Sequence, residues 1–275
     1  MHDRPPSPED DLRRSRLVTL AVGFATAFAV TVTLAATPAQ AASTVQYVAL
    51  GDSYSSGVGA GSESGTCQRS PNAYPALWAA ANAPASYTSV ACSGATTTTV
   101  INSQLSALSS STTLVSISIG GNDMGFSNIM STCALQGTTQ CVAAVQAAED
   151  KARSSLTGLL NNVYNGIRSK APNARVVVLD YPVFYQLGTT CVGLSATSHA
   201  KIDEGINLID DIIRSAAQAH GFVFADVRSI FVGHQLCSGD KWLHALNFAS
   251  LSISYHPTSK GHSSGYLPVF RSAAG

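Results

Sequence analysis

Charge is scarce in this chain. Lys, Arg, Asp and Glu make up 12% of its 275 residues, against roughly a quarter in an average soluble domain. The 16 basic and 16 acidic residues cancel, and no basic run occurs. That pattern excludes a nucleic-acid binder, because neutralising phosphates takes clustered Lys and Arg. No C-x-x-C pair is present, so neither a zinc site nor any other metal or cofactor site is expected. No internal repeat and no second domain is legible. Hydrophobic residues, at 45%, are plentiful enough for a real core, which excludes a disordered chain.

What is present begins with an export signal. Arg13, Arg14 and Arg16 precede an apolar run from Leu17 to Ala36, followed by Thr37-Pro38-Ala39-Gln40-Ala41. The run is long enough to span a bilayer, but small residues at Ala39 and Ala41 are what a signal peptidase needs. Residues 1–41 are therefore expected to be removed, leaving 42–275 as one extracellular domain with no membrane anchor. Six cysteines follow: Cys67, Cys92, Cys133, Cys141, Cys191 and Cys237. An even count in an exported chain reads as disulfides. About 15 pairings are possible, and the sequential one (67–92, 133–141, 191–237) is expected because short loops close most easily.

The mature chain alternates strand with helix. Val45–Leu50, Tyr87–Cys92, Leu114–Ile119, Arg175–Asp180 and Phe222–Val227 read as strands, the fourth almost wholly apolar as for a strand buried on both faces. Ala73–Ala83, Val142–Lys170 and Ser198–His220 read as helices. This order predicts a three-layer α/β domain, a five-stranded parallel sheet with helices on both faces.

In such sheets ligands bind beyond the carboxyl ends of the strands. The first predicted strand runs into Gly51-Asp52-Ser53-Tyr54-Ser55-Ser56-Gly57, the second into Ser93-Gly94-Ala95 and the third into Gly120-Gly121-Asn122-Asp123. Small, glycine-flanked residues let the backbone approach a substrate and aim its N–H groups. Near the C-terminus stands Ser254-Tyr255-His256-Pro257-Thr258. Together these segments supply a hydroxyl, a base, and donors for a developing oxyanion.

The four blocks Gly51-Asp52-Ser53, Gly94, Gly120-Gly121-Asn122-Asp123 and His256-Pro257 resemble those of the SGNH (GDSL) hydrolases. Tyr47 to Gly57, Tyr74-Pro75-Ala76-Leu77-Trp78 and Ser254 to Thr258 are similar in particular to the secreted Streptomyces-type lipases and esterases. The resemblance implies a flavodoxin-like sheet and a serine carboxylester hydrolase acting on lipid or small acyl-ester substrates as a monomer. It assigns Ser53 as nucleophile and His256 as general base. The oxyanion hole would be the backbone N–H groups of Ser53 and Gly94 and the side-chain amide of Asn122. Around Ser53 the sequence is not the G-x-S-x-G elbow of α/β-hydrolases, since Ser55 stands where that motif has glycine.

One departure matters. Relatives carry an acid three residues before the histidine, and here that position is Ile253. Ile253 can accept neither proton nor hydrogen bond. The main-chain carbonyl of Ser254 is the expected substitute, with Asp240 as the alternative. Asp52 and Asp123 are expected to bond loop amides, and Asn122 would otherwise read as a helix cap. His199, His220, His234, His244 and His262 are expected at surfaces or helix ends, with His262 the one rival base. Tyr54, Tyr255 and Trp242 are candidates for an acyl pocket, although aromatics of this kind more often only pack. A phospholipase A-type activity and a carbohydrate deacetylase are the enzymatic alternatives. A non-catalytic binding module on the same fold would not need Ser53, Asn122 and His256, and all are present.

Overall fold

The chain is described by a computed structural model covering residues 43–247 and 250–275. The export signal expected over 1–41 lies outside the described residues. The first strand, β1 (Gln46–Gly51), is followed by a one-turn helix, α1 (Ser53–Ser56), and by α2 (Tyr74–Asn82). Next come β2 (Ser86–Ser89), the short α3 (Thr97–Thr99) running on into a π turn Val100–Gln104, and β3 (Leu114–Ser118). Helices α4 (Phe126–Gln136), α5 (Thr138–Lys151) and α6 (Thr157–Lys170) precede β4 (Arg175–Leu179). The chain ends with α7 (Ala196–Ala219), β5 (Val223–Ala225) and α8 (Leu267–Ala274).

The five strands pair in parallel in the order β2-β1-β3-β4-β5. Tyr47 lies against Leu114 and Gly51 against Ser118, so β1 and β3 end level with one another. Every residue of β3 is buried, as is all of β4 after Arg175, the signature of strands covered on both faces. Helices α2 and α8 pack together on one face, and α5, α6 and α7 on the other. The chain leaves β1 toward β2 on one side and returns to β3 on the other. That reversal opens a crevice at the carboxyl end of β1.

Two expected elements differ. The long helix predicted over Val142–Lys170 begins at Thr138 and is interrupted by a π turn at Ala152–Leu156. After this turn of one extra residue the second half continues as α6, with Leu160, Val163 and Ile167 fully buried. The second strand stops at Ser89 rather than Cys92. The backbone nevertheless keeps bonding β1, with Val90 N–H donating to Ala49 O and Cys92 N–H to Gly51 O. Disulfides join Cys67 to Cys92, Cys133 to Cys141 and Cys191 to Cys237. Among the described residues no helix is long and apolar enough to cross a membrane.

Candidate active site

Ser53 is placed by the turn that ends β1. Gly51 has φ +121°, and a Cβ there would fall 2.5 Å from the carbonyl oxygen of Ser118, so the approach of β1 to β3 requires glycine. The buried Gln104 side chain, from the π turn after α3, clamps this residue. Its Oε1 accepts from Gly51 N–H at 2.7 Å and its Nε2 donates to Gly51 O at 2.8 Å. Asp52 then caps α1, accepting from Tyr54 N–H at 3.0 Å, and Ser53 becomes the first residue of that turn.

Asp52 also ties the turn to its neighbours. Its carboxylate accepts from Ser118 Oγ at 3.0 Å and from the Tyr181 hydroxyl at 2.5 Å. The Tyr181 oxygen in turn accepts from Gly121 N–H at 3.1 Å. Burial pushes Asp52 up to about 6 although these bonds favour its charged form. On the far side of Asn122, Asp123 accepts from Thr97 N–H at 3.0 Å and Thr97 Oγ1 at 2.6 Å. The Asn122 side-chain amide donates to Ala95 O at 3.0 Å. These bonds lock the segment carrying Gly94 to the one carrying Asn122. Gly94 itself has φ +77° and is exposed, and nothing lies within 4 Å of where its Cβ would be.

His256 closes the site. Its Nε2 is 2.7 Å from Ser53 Oγ and its Nδ1 is 3.1 Å from the carbonyl oxygen of Ser254. A carbonyl only accepts, so Nδ1 carries the proton and Nε2 is free to accept from the serine hydroxyl. Burial drives the ring down to about 4, opposed by the Ser254 bond and reinforced by His244. The Ser254 carbonyl is aimed by Tyr255, a non-glycine residue at φ +68°. That strained conformation is held by three bonds: Tyr255 N–H to His244 O, the Tyr54 hydroxyl to Tyr255 O, and the Tyr185 hydroxyl to the Tyr255 hydroxyl.

Ser53, Gly94, Asn122, Ser254 and His256 all line one open cleft of about 340 Å³. Among the described residues no Asp, Glu, Lys or Arg lines it; serines and apolar side chains do. A hydroxyl aligned on a neutral imidazole, beside N–H donors, can attack an ester carbonyl and hold the resulting oxyanion.

The alternative to the Ser254 carbonyl is not met, and the placing of two histidines differs from expectation. Asp240 does not reach His256; it sits at the surface, bonded by Lys260 Nζ at 2.8 and 2.9 Å and by the Trp242 ring N–H at 3.2 Å. His262 is neither exposed nor a rival base. It is completely buried beside the rings of Tyr74 and Tyr266, with Nδ1 accepting from Tyr74 N–H and the ring driven down to about 3 by burial. His199 is buried too, stacked on Tyr185 at 3.9 Å between ring centres. Trp242 stacks on His234 and lines no part of the cleft, whereas Tyr255 does. Asn122 does open a short 3-10 turn, but its amide bonds outward to Ala95.

The segment Gly261-His262-Ser263-Ser264-Gly265 fits G-x-S-x-G, yet it forms a π turn and Ser263 Oγ donates to Lys260 O within that turn. The motif requires a strand-to-helix elbow, which is absent there. One group of potential metal ligands occurs among the described residues, Cys191, His199 and Cys237. Both sulfurs are spent in a disulfide, so no thiolate is offered. Gln104 and Tyr181 were not foreseen at all. Each acts on a residue far off in the chain, and nothing in the local sequence marks them.

The fold is a parallel α/β sheet, and beyond its carboxyl edge a serine hydroxyl and a histidine ring stand within hydrogen-bond distance. Residues 49–263 match the GDSL-like Lipase/Acylhydrolase family, and the chain belongs to that family of ester-hydrolysing enzymes. It is 52% identical to Lipase 1 of Streptomyces coelicolor over 96% of this chain and all of that one. Among solved structures, phospholipase A1 of Streptomyces albidoflavus is 52% identical with a TM-score of 0.82, covering 83% of this chain and 98% of that one. The extracellular lipase of Streptomyces rimosus is 50% identical with a TM-score of 0.81, covering 83% and 99%.

Proposed function

We propose that the protein is an exported, monomeric lipid acyl-ester hydrolase that works through a Ser53–His256 dyad. The observation that carries this reading is the chain of contacts Ser254 O to His256 Nδ1, His256 Nε2 to Ser53 Oγ. In the first half-reaction His256 takes the Ser53 proton as Oγ bonds the ester carbonyl carbon. The negative oxygen is met by the N–H groups of Ser53 and Gly94 and by Asn122 Nδ2, each donor worth roughly 3–4 kcal/mol. Collapse expels the alcohol, which takes the proton from His256. Water then attacks the acyl-enzyme by the same route and releases the fatty acid. The imidazolium formed on the way is steadied by a carbonyl dipole instead of a carboxylate.

Export is supported by the basic-apolar-small pattern of residues 1–41 and by the extracellular relative from Streptomyces rimosus. A second reading, cleavage of phospholipids, is favoured by the 52% identity to a phospholipase A1. The uncharged cleft favours neutral acyl esters as the first choice. The test is a panel of p-nitrophenyl esters, triacylglycerols and diacyl phospholipids against the mature protein and Ser53→Ala. Ester hydrolysis should fall by at least about 10⁴ in the variant. A serine-directed phosphonate should label Ser53 alone; an active Ser53→Ala, or label on another residue, overturns the reading.

A further inference from the structure

A second space opens at Ser53 besides the cleft. It is narrow, about 30 Å³, and runs from Ser53 and Asn122 beneath the ring of Phe126. Phe126, Phe184, Ile206 and Ile209 also line a further space of about 70 Å³ between α4, α5 and α7. Phe126 borders the cleft as well, so its half-buried ring is the wall that parts the outer cleft from the inner crevice. The ring is braced edge-on by Phe184 at 5.8 Å and Tyr255 at 6.4 Å between centres.

The two spaces differ in chemistry. The cleft carries Ser93, Ser127, Ser131 and Ser252. The inner part of the crevice carries Met124, Ile129, Ile202, Ile206 and Ile209. Its far end is closed by a charge pair. Glu149 lines it, with its carboxylate 2.8 Å from Lys201 Nζ. Beside it stands Gly205, where a Cβ would fall 2.9 Å from Val145 Cγ1, so α5 and α7 pinch together there.

We propose that the crevice under Phe126 is the acyl-chain channel, and that Phe126 and Ile209 set the chain length the enzyme accepts. This rests on Ser53 being the nucleophile. An ester bound at Ser53 must send its two halves in different directions. The polar alcohol half fits the wide, serine-lined cleft, and the apolar chain fits the narrow crevice, which past Asp52 and Tyr181 at the Ser53 end is lined mainly by Phe126, Phe184, Ile206 and Ile209. The inner spaces hold about six methylene groups at the volume of a water each. Beyond that the tail meets the Glu149–Lys201 pair, which cannot be desolvated further without loss. Within the channel each added methylene raises kcat/KM by about fourfold through apolar burial. Past its end the gain stops.

The experiment measures kcat/KM for p-nitrophenyl acetate, octanoate and palmitate below their aggregation limits. Wild type favours octanoate over both others. Ile209→Phe plugs the channel and lowers the octanoate-to-acetate ratio by about tenfold or more, while Phe126→Ala removes the wall and raises the palmitate-to-octanoate ratio by about fivefold. An Ile209→Phe protein with wild-type melting temperature and an unchanged octanoate-to-acetate ratio overturns the proposal, as does an equal loss at every chain length. If overpacking prevents Ile209→Phe from folding, the Phe126→Ala ratio decides, and no change there overturns the channel. Phosphonate labelling of Ser53 in each variant separates this outcome from a failure of the nucleophile assignment. A labelled Ser53 with unaltered chain preference rejects the channel alone.

Discussion

The partner of His256 Nδ1 is a neutral carbonyl, and burial drives the ring down to about 4. Only neutral imidazole can take the Ser53 proton. A lowered value keeps the base neutral further into acid, so kcat/KM should hold from neutral pH down to about 5 and fall as pH passes through about 4. An acid limb near 6.5, the ordinary histidine value, would show that the ring is not desolvated in the working enzyme. The same carbonyl makes carboxylates dispensable. Asp240→Asn should lose at most about tenfold in kcat, since Asp240 is bonded to Lys260 and Trp242 instead, whereas loss of a triad aspartate elsewhere costs about 10⁴. Ile253→Asp should change kcat little for the same reason, because Nδ1 is already occupied. Asn122→Ala should cost about 10² to 10³ in kcat at steady ester concentration, the loss of one oxyanion donor.

Helix α7 shows how an element far from Ser53 shapes the site. Its buried carboxylates catch the loop that follows β4. Asp210 accepts from Tyr181 N–H at 3.2 Å, and Asp203 accepts from Phe184 and Tyr185 N–H, each at 3.1 Å. That loop delivers Tyr181 to Asp52 and Tyr185 to Tyr255. Burial lifts Asp203 to about 7, so the folded chain holds this proton more tightly than the unfolded chain does. The cost of the buried charge is absent below about 4, grows as pH rises from there, and is fully present above about 7. Asp203→Asn keeps the acceptor and drops the charge. Its melting temperature relative to wild type should therefore rise with pH, the gap opening from about 4 and levelling off above about 7. A gap that stays constant from pH 5 to pH 9, about two units either side of that value, would show that Asp203 does not titrate there. Gln104 makes a similar point from the π turn after α3. Gln104→Ala strands the buried Gly51 N–H, at about 1–3 kcal/mol by denaturant unfolding.

Across the whole molecule the disulfides close loops of 25, 8 and 46 residues' separation. On the chain-entropy account each contributes about 2.5–4 kcal/mol. Their total, about 10 kcal/mol, is comparable with the entire stability of an ordinary domain. Full reduction should thus unfold the protein at physiological temperature, read by circular dichroism with and without a strong reductant. The bridges are not equivalent for function. Cys67–Cys92 borders the Ser93-Gly94 turn, where Ser93 N–H also bonds Cys67 O at 3.1 Å, while Cys133–Cys141 staples α4 to α5. Removing the first pair should lower kcat for octanoate more than removing the second at temperatures where both variants remain folded.

The sheet was legible because strand and helix periodicity are local, and β3 and β4 are apolar enough to announce burial on both faces. The pair Ser53 and His256 was legible because glycine-flanked turns at strand ends carry their chemistry in adjacent residues. Even the absent acid at Ile253 was visible, as a residue type that cannot do the work. Tertiary structure alone decided the rest. Asp240 and Ser254 both lie within reach along the chain, and only the left-handed turn at Tyr255 chose the carbonyl. His262 reads like any exposed histidine until Tyr74 and Tyr266 close over it. Gln104, Tyr181 and Phe126 act across 53, 129 and 58 residues of chain on Gly51, Asp52 and Phe184. Contacts of that separation depend on where the sheet carries each segment, and no window of sequence contains both partners.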